Sequence, residues 1–259
     1  PIFSLSPGLK LSRSSSSQKK HLLSKYLQAR EMGFEEFAIF FDDIGHKRDK
    51  YLAESHLETI EQLKSLDFIK DSSITVCPTV YCKSFAKGDI TNNEYLDAFS
   101  KGIDPSTSIL WTGDEVVSQS IPKRALKDLK DLFSNPIIIW DNYYANDYCP
   151  SRFYIGPHSG RKSLINEVKG IGINPTGLPF TDMICLSRSA SDKTNQQIFE
   201  EFNIPKEFNK VLPYFTSPFK NLSSLDLKSW YLSRLSSKLG AVNIESPLEL
   251  YKVSPGFNL

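Results

Sequence analysis

Five apolar residues run together at Phe37-Ala38-Ile39-Phe40-Phe41 and stop at two adjacent carboxylates, Asp42 and Asp43. A short unbroken apolar run bounded by polar residues reads as a strand buried on both faces. The same unit recurs along the chain: apolar strand, polar loop, amphipathic helix. Strands are predicted over 1–6, 37–41, 74–77, 108–111, 136–140 and 170–173. Helices are predicted over 18–32, 51–66, 93–102, 123–133 and 161–169. Ser17 is the expected N-cap of the first and Gly33 its stop. The stretch 143–157 reads as a long aromatic loop. Beyond Pro175 the pattern is weaker. Residues 183–186 are short and apolar, and 196–202 and 229–239 look helical.

Strands alternating with helices imply right-handed crossovers and a parallel sheet. Strands this apolar need helices on both faces or closure into a barrel. The polar residues gather just past the C-terminal ends of the strands, where (β/α)8 enzymes place their chemistry. A doubly wound sheet uses the same edge, but no GxGxxG or P-loop glycine pattern follows any strand. The expectation is therefore an α/β fold of the TIM-barrel kind. Six strands, numbered 3–8 of a barrel, would occupy 1–180, with two more expected upstream of Pro1. Residues 181–259 would form a mixed helical and irregular extension packed on the barrel.

Composition adds exclusions. Of 259 residues, 40% are hydrophobic and 24% charged, and the net charge is +1, which points to a globular domain without a nucleic-acid or membrane field. No apolar run approaches the roughly 20 residues of a membrane helix. The start, Pro1-Ile2-Phe3, has no signal-peptide pattern, and the compartment stays open. Cys77 and Cys82 are joined by no second pair, and His21, His46, His56 and His158 form no ligand spacing. No metal and no cofactor are expected. Cys77, Cys82, Cys149 and Cys185 read as reduced, partly buried thiols, and His21 and His56 as surface or packing residues.

The chemistry concentrates after the strands. Two carboxylates side by side repel, and one tends to keep its proton to higher pH, which suits acid/base work. The bland alternative is that Asp43 caps the next helix. Trp111 and Trp140 have a bland reading as core, and Asn142 and Asp147 as turn residues. Aromatic rings beside Asp and Asn suit a sugar, whose apolar face stacks on rings while its hydroxyls find polar partners. Paired carboxylates suit glycosidic cleavage.

In order along the chain stand FDDI (41–44), CPTVYC (77–82), LWTGDEVVS (110–118), IWDNYYANDY (139–148), IGP (155–157) and INP (173–175). This series resembles the catalytic barrel of glycoside hydrolase family 84, which includes protein O-GlcNAcases and bacterial β-N-acetylglucosaminidases sometimes called hyaluronidases. The resemblance implies substrate-assisted, retaining removal of terminal GlcNAc from a glycoprotein or glycan. The substrate's own 2-acetamido oxygen would attack the anomeric carbon. It implies that Asp42 orients the acetamido N–H and that Asp43 is general acid, then base. Tyr81 and Asn142 would bind the acetamido group. Cys77, Thr112, Val116 and Trp140 would line the pocket for its methyl. Asp147 and Asn174 would hold sugar hydroxyls. It also implies a glycine-rich turn and a lysine on the two upstream strands, and it places Val80 where an acidic residue often stands. Two other readings stay open: a catalytically impaired sugar-binding or scaffold fragment, and a metal-using barrel hydrolase.

Overall fold

The computed structural model describes residues 1–8, 16–43, 47–70, 74–148, 153–210 and 212–219. The expected helix over 229–239, His46 and Cys149 lie outside them. The chain divides into two compact units, one of residues 1–140 with 162–172, the other of residues 141–161 with 173–259.

In the first unit each strand is followed by a helix or turn. The strands are β1 (Ile2–Leu5), β2 (Glu36–Phe40), β3 (Thr75–Cys77), β4 (Ser108–Trp111), β5 (Ile137–Asp141) and β6 (Gly170–Ile173), and they form one six-stranded sheet in chain order. The pairings from β1 to β5 are all parallel. Lys169 N–H donates to the Ile137 carbonyl and Asn174 N–H to that of Asp141, so β6 advances in the same direction as β5. A six-stranded parallel sheet in simple sequential order is consistent with part of a (β/α)8 barrel.

The helices are α1 (Ser16–Glu31), α2 (Lys50–Lys64), α3 (Asp67–Lys70), α4 (Glu94–Gly102) and α5 (Lys127–Leu132). Helix α1 ends as expected at Gly33. With φ +93, Gly33 donates to the Arg30 carbonyl while Phe34 donates to that of Ala29, the double closure of a Schellman stop. Its start differs: Ser17 lies inside the first turn rather than capping it. Asp43 does not cap α2. That cap is Asp49, whose carboxylate accepts Leu52 N–H at 3.1 Å. Asn93 caps α4 in the same way. The 123–133 segment begins as a 3-10 turn, Lys123–Leu126, before α5.

Parity along the strands separates two apolar layers. Phe37, Ile39, Phe41, Val76, Ile109, Trp111, Ile137 and Ile139 join one core with helix residues such as Tyr26, Ile60, Leu63, Leu96 and Leu129. The alternate residues Phe40, Cys77, Leu110, Ile138 and Trp140 form a smaller cluster with Tyr81, Cys82, Phe85 and Val116. Successive strand side chains point to opposite faces, so a shift of one residue decides membership. Tyr26 is fully buried and donates to the Ala38 carbonyl at 2.6 Å, tying α1 to β2 without an orphaned hydroxyl.

The helix expected over 161–169 is absent; the segment makes only a 3-10 turn, Lys162–Leu164, followed by further turns. Arg161 is 2% exposed and bound through its guanidinium, so the first residue of that helix is already pinned by tertiary bonds.

The second unit contains α6 (Pro179–Ala190), which absorbs the apolar stretch 183–186, and α7 (Asn195–Glu201) with a capping box between Thr194 and Gln197. Two 3-10 turns follow, Lys206–Lys210 and Leu212–Phe215. Its core joins Tyr143, Tyr144, Phe153, Tyr154 and Ile155 from the aromatic loop with Ile184, Ile198, Phe199, Phe208 and Phe215. Gly156 is required there: a Cβ would fall 2.2 Å from the Thr216 carbonyl oxygen.

Candidate functional site

In the first unit, the exits of β2, β3, β4 and β5 carry the predicted residues. Asp42 is half-buried and Asp43 exposed, and Asp43 sits in the left-handed region at φ +51, which Asp tolerates better than most residues. Tyr81 donates its hydroxyl to Asp43 Oδ1 at 3.1 Å. The Tyr81 ring is 6% exposed, packed edge-on to Phe85, which in turn lies 3.8 Å beneath the Arg48 guanidinium. Burial, followed by the neighbouring Asp43 carboxylate, raises the Tyr81 phenol, so it acts as a donor. The Asp42 carboxyl is raised above its ordinary value. Burial is the main cause and the Asp43 charge adds to it, while Asp42's own backbone N–H works the other way.

Cys77 is a buried thiol pushed well up, first by burial and then by Asp42 and Asp43, so it lines the site as a neutral, soft apolar group. It lies in one cluster with Tyr81, Val116 and Trp140. Thr112 is 3% exposed, and its hydroxyl donates to the Glu115 carbonyl at 2.7 Å, holding the turn after β4. That turn needs Gly113, whose φ is +105 and whose added Cβ would strike Ser118 Oγ at 2.5 Å.

The two tryptophans part company. Trp111 is 2% exposed in the helix-side core, so its bland reading holds; Trp140 is half-buried on the opposite layer, edge-on to Phe40 at 5.6 Å. Trp111→Ala is expected to cost about 3–5 kcal/mol of stability against urea, and Trp140→Ala clearly less. Equal costs would contradict this separation of layers.

In the second unit, Asn174 donates its amide to Asn142 Oδ1 at 2.9 Å, and its backbone N–H donates to the Asp141 carbonyl. The first bond orients the Asn142 amide, and the second anchors Asn174 to the end of β5. Asp147 is exposed and accepts Tyr148 N–H at 3.0 Å.

Three residues behind the Asn pair escaped sequence reasoning. Asp141 is 2% exposed and receives both Arg161 Nε (2.8 Å) and Arg161 Nη2 (2.9 Å). His158 Nε2 lies 2.7 Å from the same carboxylate, and Tyr143 N–H donates to it at 3.1 Å. Burial raises the Asp141 carboxyl, but His158 and Arg161 outweigh that and hold it at about 2. The Arg161 guanidinium also covers the Tyr143 ring at 4.6 Å. The sequence signal was available only as a polar His and Arg after a glycine-rich turn, which is ordinary loop composition.

Among the described residues no group of three or more His, Cys, Asp or Glu side chains is placed to hold a metal ion. No described helix is long and apolar enough to cross a membrane.

Comparison with known proteins follows the same lines. The sequence profile of the family described as beta-N-acetylglucosaminidase matches residues 1–225. The protein O-GlcNAcases of Mus musculus and Rattus norvegicus are each 30% identical over 181 residues, covering 67% of this chain and 20% of the relative. The chain thus spans about a fifth of the length of these curated relatives. The solved structure of a mutant of the Thermobaculum terrenum O-GlcNAc hydrolase superimposes with TM-score 0.69 at 25% identity, over 91% of this chain and 56% of the other. The structure of CpGH84B does so with TM-score 0.71 at 21% identity, over 96% of this chain and 47% of the other, a likeness of fold.

Proposed function

Since the chain belongs to the beta-N-acetylglucosaminidase family, a family of glycoside hydrolases, we propose that it carries the catalytic residues of a retaining enzyme that removes terminal GlcNAc from glycoproteins or glycans. On this reading its six strands are strands 3–8 of a (β/α)8 barrel. The observation that carries the reading is the end of β2: a half-buried Asp42 with a raised carboxyl, followed by an exposed Asp43 that accepts the Tyr81 hydroxyl.

The division of labour is the one that the family resemblance implies. The substrate's acetamido oxygen attacks the anomeric carbon and forms an oxazolinium ion, the nitrogen keeping its proton, while Asp43 protonates the departing glycosidic oxygen. Asp42, as a carboxylate, accepts the acetamido N–H and holds the amide against the anomeric carbon. Asp43 then takes a proton from the water that opens the oxazolinium ring. One carboxylate thereby acts as acid and base, and the nucleophile belongs to the substrate, an exception to the two-carboxylate scheme. Tyr81 and Asn142 bind the acetamido group as it becomes the ring. Neutral Cys77, the Thr112 methyl, Val116 and Trp140 supply an apolar wall for the acetyl methyl, which favours the closed ring by excluding water. Asp147 and Asn174 hold hydroxyls of the sugar.

Two results test the proposal. A substrate carrying trifluoroacetamide in place of acetamide should react about tenfold more slowly or worse, ~1.4 kcal/mol of barrier, because fluorine drains the attacking oxygen. The acid limb of kcat/KM should lie above the ordinary carboxylate range, since Asp42 must ionise and its burial opposes that. An unchanged rate with the fluorinated substrate would rule out substrate assistance.

A further inference from the structure

Behind the acid pair lies a buried polar cluster that touches neither carboxylate in the proposed chemistry. Phe41, the residue before Asp42, is held on three sides. Its N–H donates to the Cys77 carbonyl at 2.8 Å, its own carbonyl accepts the Thr79 hydroxyl at 2.6 Å, and its ring lies flat on the His56 imidazole at 4.0 Å and 7°. The Tyr95 hydroxyl accepts Thr79 N–H at 3.1 Å and meets His56 Nδ1 at 3.0 Å. Tyr95 is itself stacked on Phe99. Exposure is 0% for Phe41, Thr79 and Tyr95 and 4% for His56.

Buried polar groups are costly unless paired, and an apolar set of the same volume would fill a core at least as well. What this cluster adds is geometry. Thr79 lies between Cys77 and Tyr81, and its bond to Phe41 ties the exit of β3 to the exit of β2. The 3.1 Å contact between Tyr81 and Asp43 spans those same two exits. We propose that Thr79 and Tyr95, backed by His56, are positioning residues that set the Asp42–Asp43 pair against Tyr81. The inference rests on the reading of that pair as the catalytic one.

The test uses the full-length protein with Thr79→Val, which keeps shape and removes the hydroxyl, Thr79→Ser as rescue, and Tyr95→Phe as a second variant. Two readouts are taken: kcat and KM on a β-GlcNAc glycoside with a poor leaving group, and the carbon-13 titration of the Asp42 carboxyl. Thr79→Val and Tyr95→Phe should each lower kcat about 10- to 100-fold with KM near wild type, as a small misplacement of a reacting group does. Each should also move the Asp42 titration, and Thr79→Ser should restore both. Wild-type kcat and titration in Thr79→Val and Tyr95→Phe, even with lowered thermal stability, would overturn the proposal and leave the cluster a packing feature. If wild type itself cleaves no β-GlcNAc glycoside, the catalytic reading falls, while a shifted Asp42 titration in the variants still upholds the positioning.

Discussion

Replacing Asp43 by Ala is expected to slow cleavage of a β-GlcNAc glycoside with a poor leaving group by about 10²- to 10⁴-fold, the usual worth of a positioned general acid. A glycoside whose aryl leaving group departs without protonation should lose far less in its first step. The contrast matters more than either number, because removing a general acid hurts in proportion to the basicity of the departing oxygen. Asp43 also sits at φ +51, where Ala is poorly accommodated, so Asp43→Ala should cost about 1 kcal/mol of stability for backbone reasons alone. Asp43→Asn removes the acid but keeps a residue that accepts the left-handed region. It should reproduce the leaving-group dependence with stability near wild type. Equal losses on both substrates in both variants would remove Asp43 from the general-acid role.

The second large effect is structural. Arg161→Met strips a bidentate partner from a carboxylate that is 2% exposed, and it should cost about 3–5 kcal/mol, mostly the penalty of leaving the Asp141 charge buried. The pH dependence identifies the cause. In the wild type, Asp141 is held at about 2, below its ordinary value. Its contribution is therefore fully present above the unfolded value near 4 and is lost as pH falls toward 2, roughly 2–3 kcal/mol in all. In the variant the carboxyl has lost that support, so it protonates more readily on acidification and the penalty shrinks. Urea unfolding of both proteins between pH 7 and 4 should show the gap narrowing toward pH 4. A gap that stays constant with pH would assign the loss to the missing guanidinium over the Tyr143 ring instead.

How far the sequence reached differs from residue to residue. Strands β4 and β6 appear with the expected bounds, and the others within one or two residues, because unbroken apolar runs have few alternatives. The Gly33 stop was equally legible, since glycine alone takes φ +93 without cost. The helix expected over 161–169 was lost, because its periodicity could not register that Arg161 bonds Asp141, twenty residues earlier. Asp43 and Asp49 are both plausible caps by composition. Only the chain path shows that α2 begins at Lys50 and is capped by Asp49, which leaves Asp43 without that duty. For the candidate site, Asp42, Asp43, Tyr81, Asn142 and Asn174 could be named from motifs, and the structure pairs Asp43 with Tyr81 and Asn142 with Asn174. The sequence reading left open which carboxyl of the pair is raised, and burial raises Asp42. Charge proximity is the same for both members of a pair, and solvent exposure is not.

The amino-acid sequence by itself determined the order of strands and helices, the parallel sheet, and the residue types gathered at the strand ends. These follow from local patterns: apolar runs, caps, glycine stops and short motifs. Tertiary structure alone decided which tryptophan is core and which faces the other layer, since both end apolar strands and differ only in parity. It also decided that Thr79, Tyr95 and His56 form one buried cluster behind Phe41, and that Asp141, His158 and Arg161 form another. Hydrogen bonds between residues 16 to 39 positions apart leave no trace in local periodicity, so the acid pair at the end of β2 could be seen in the sequence while the Thr79, Tyr95 and His56 cluster behind Phe41 could not.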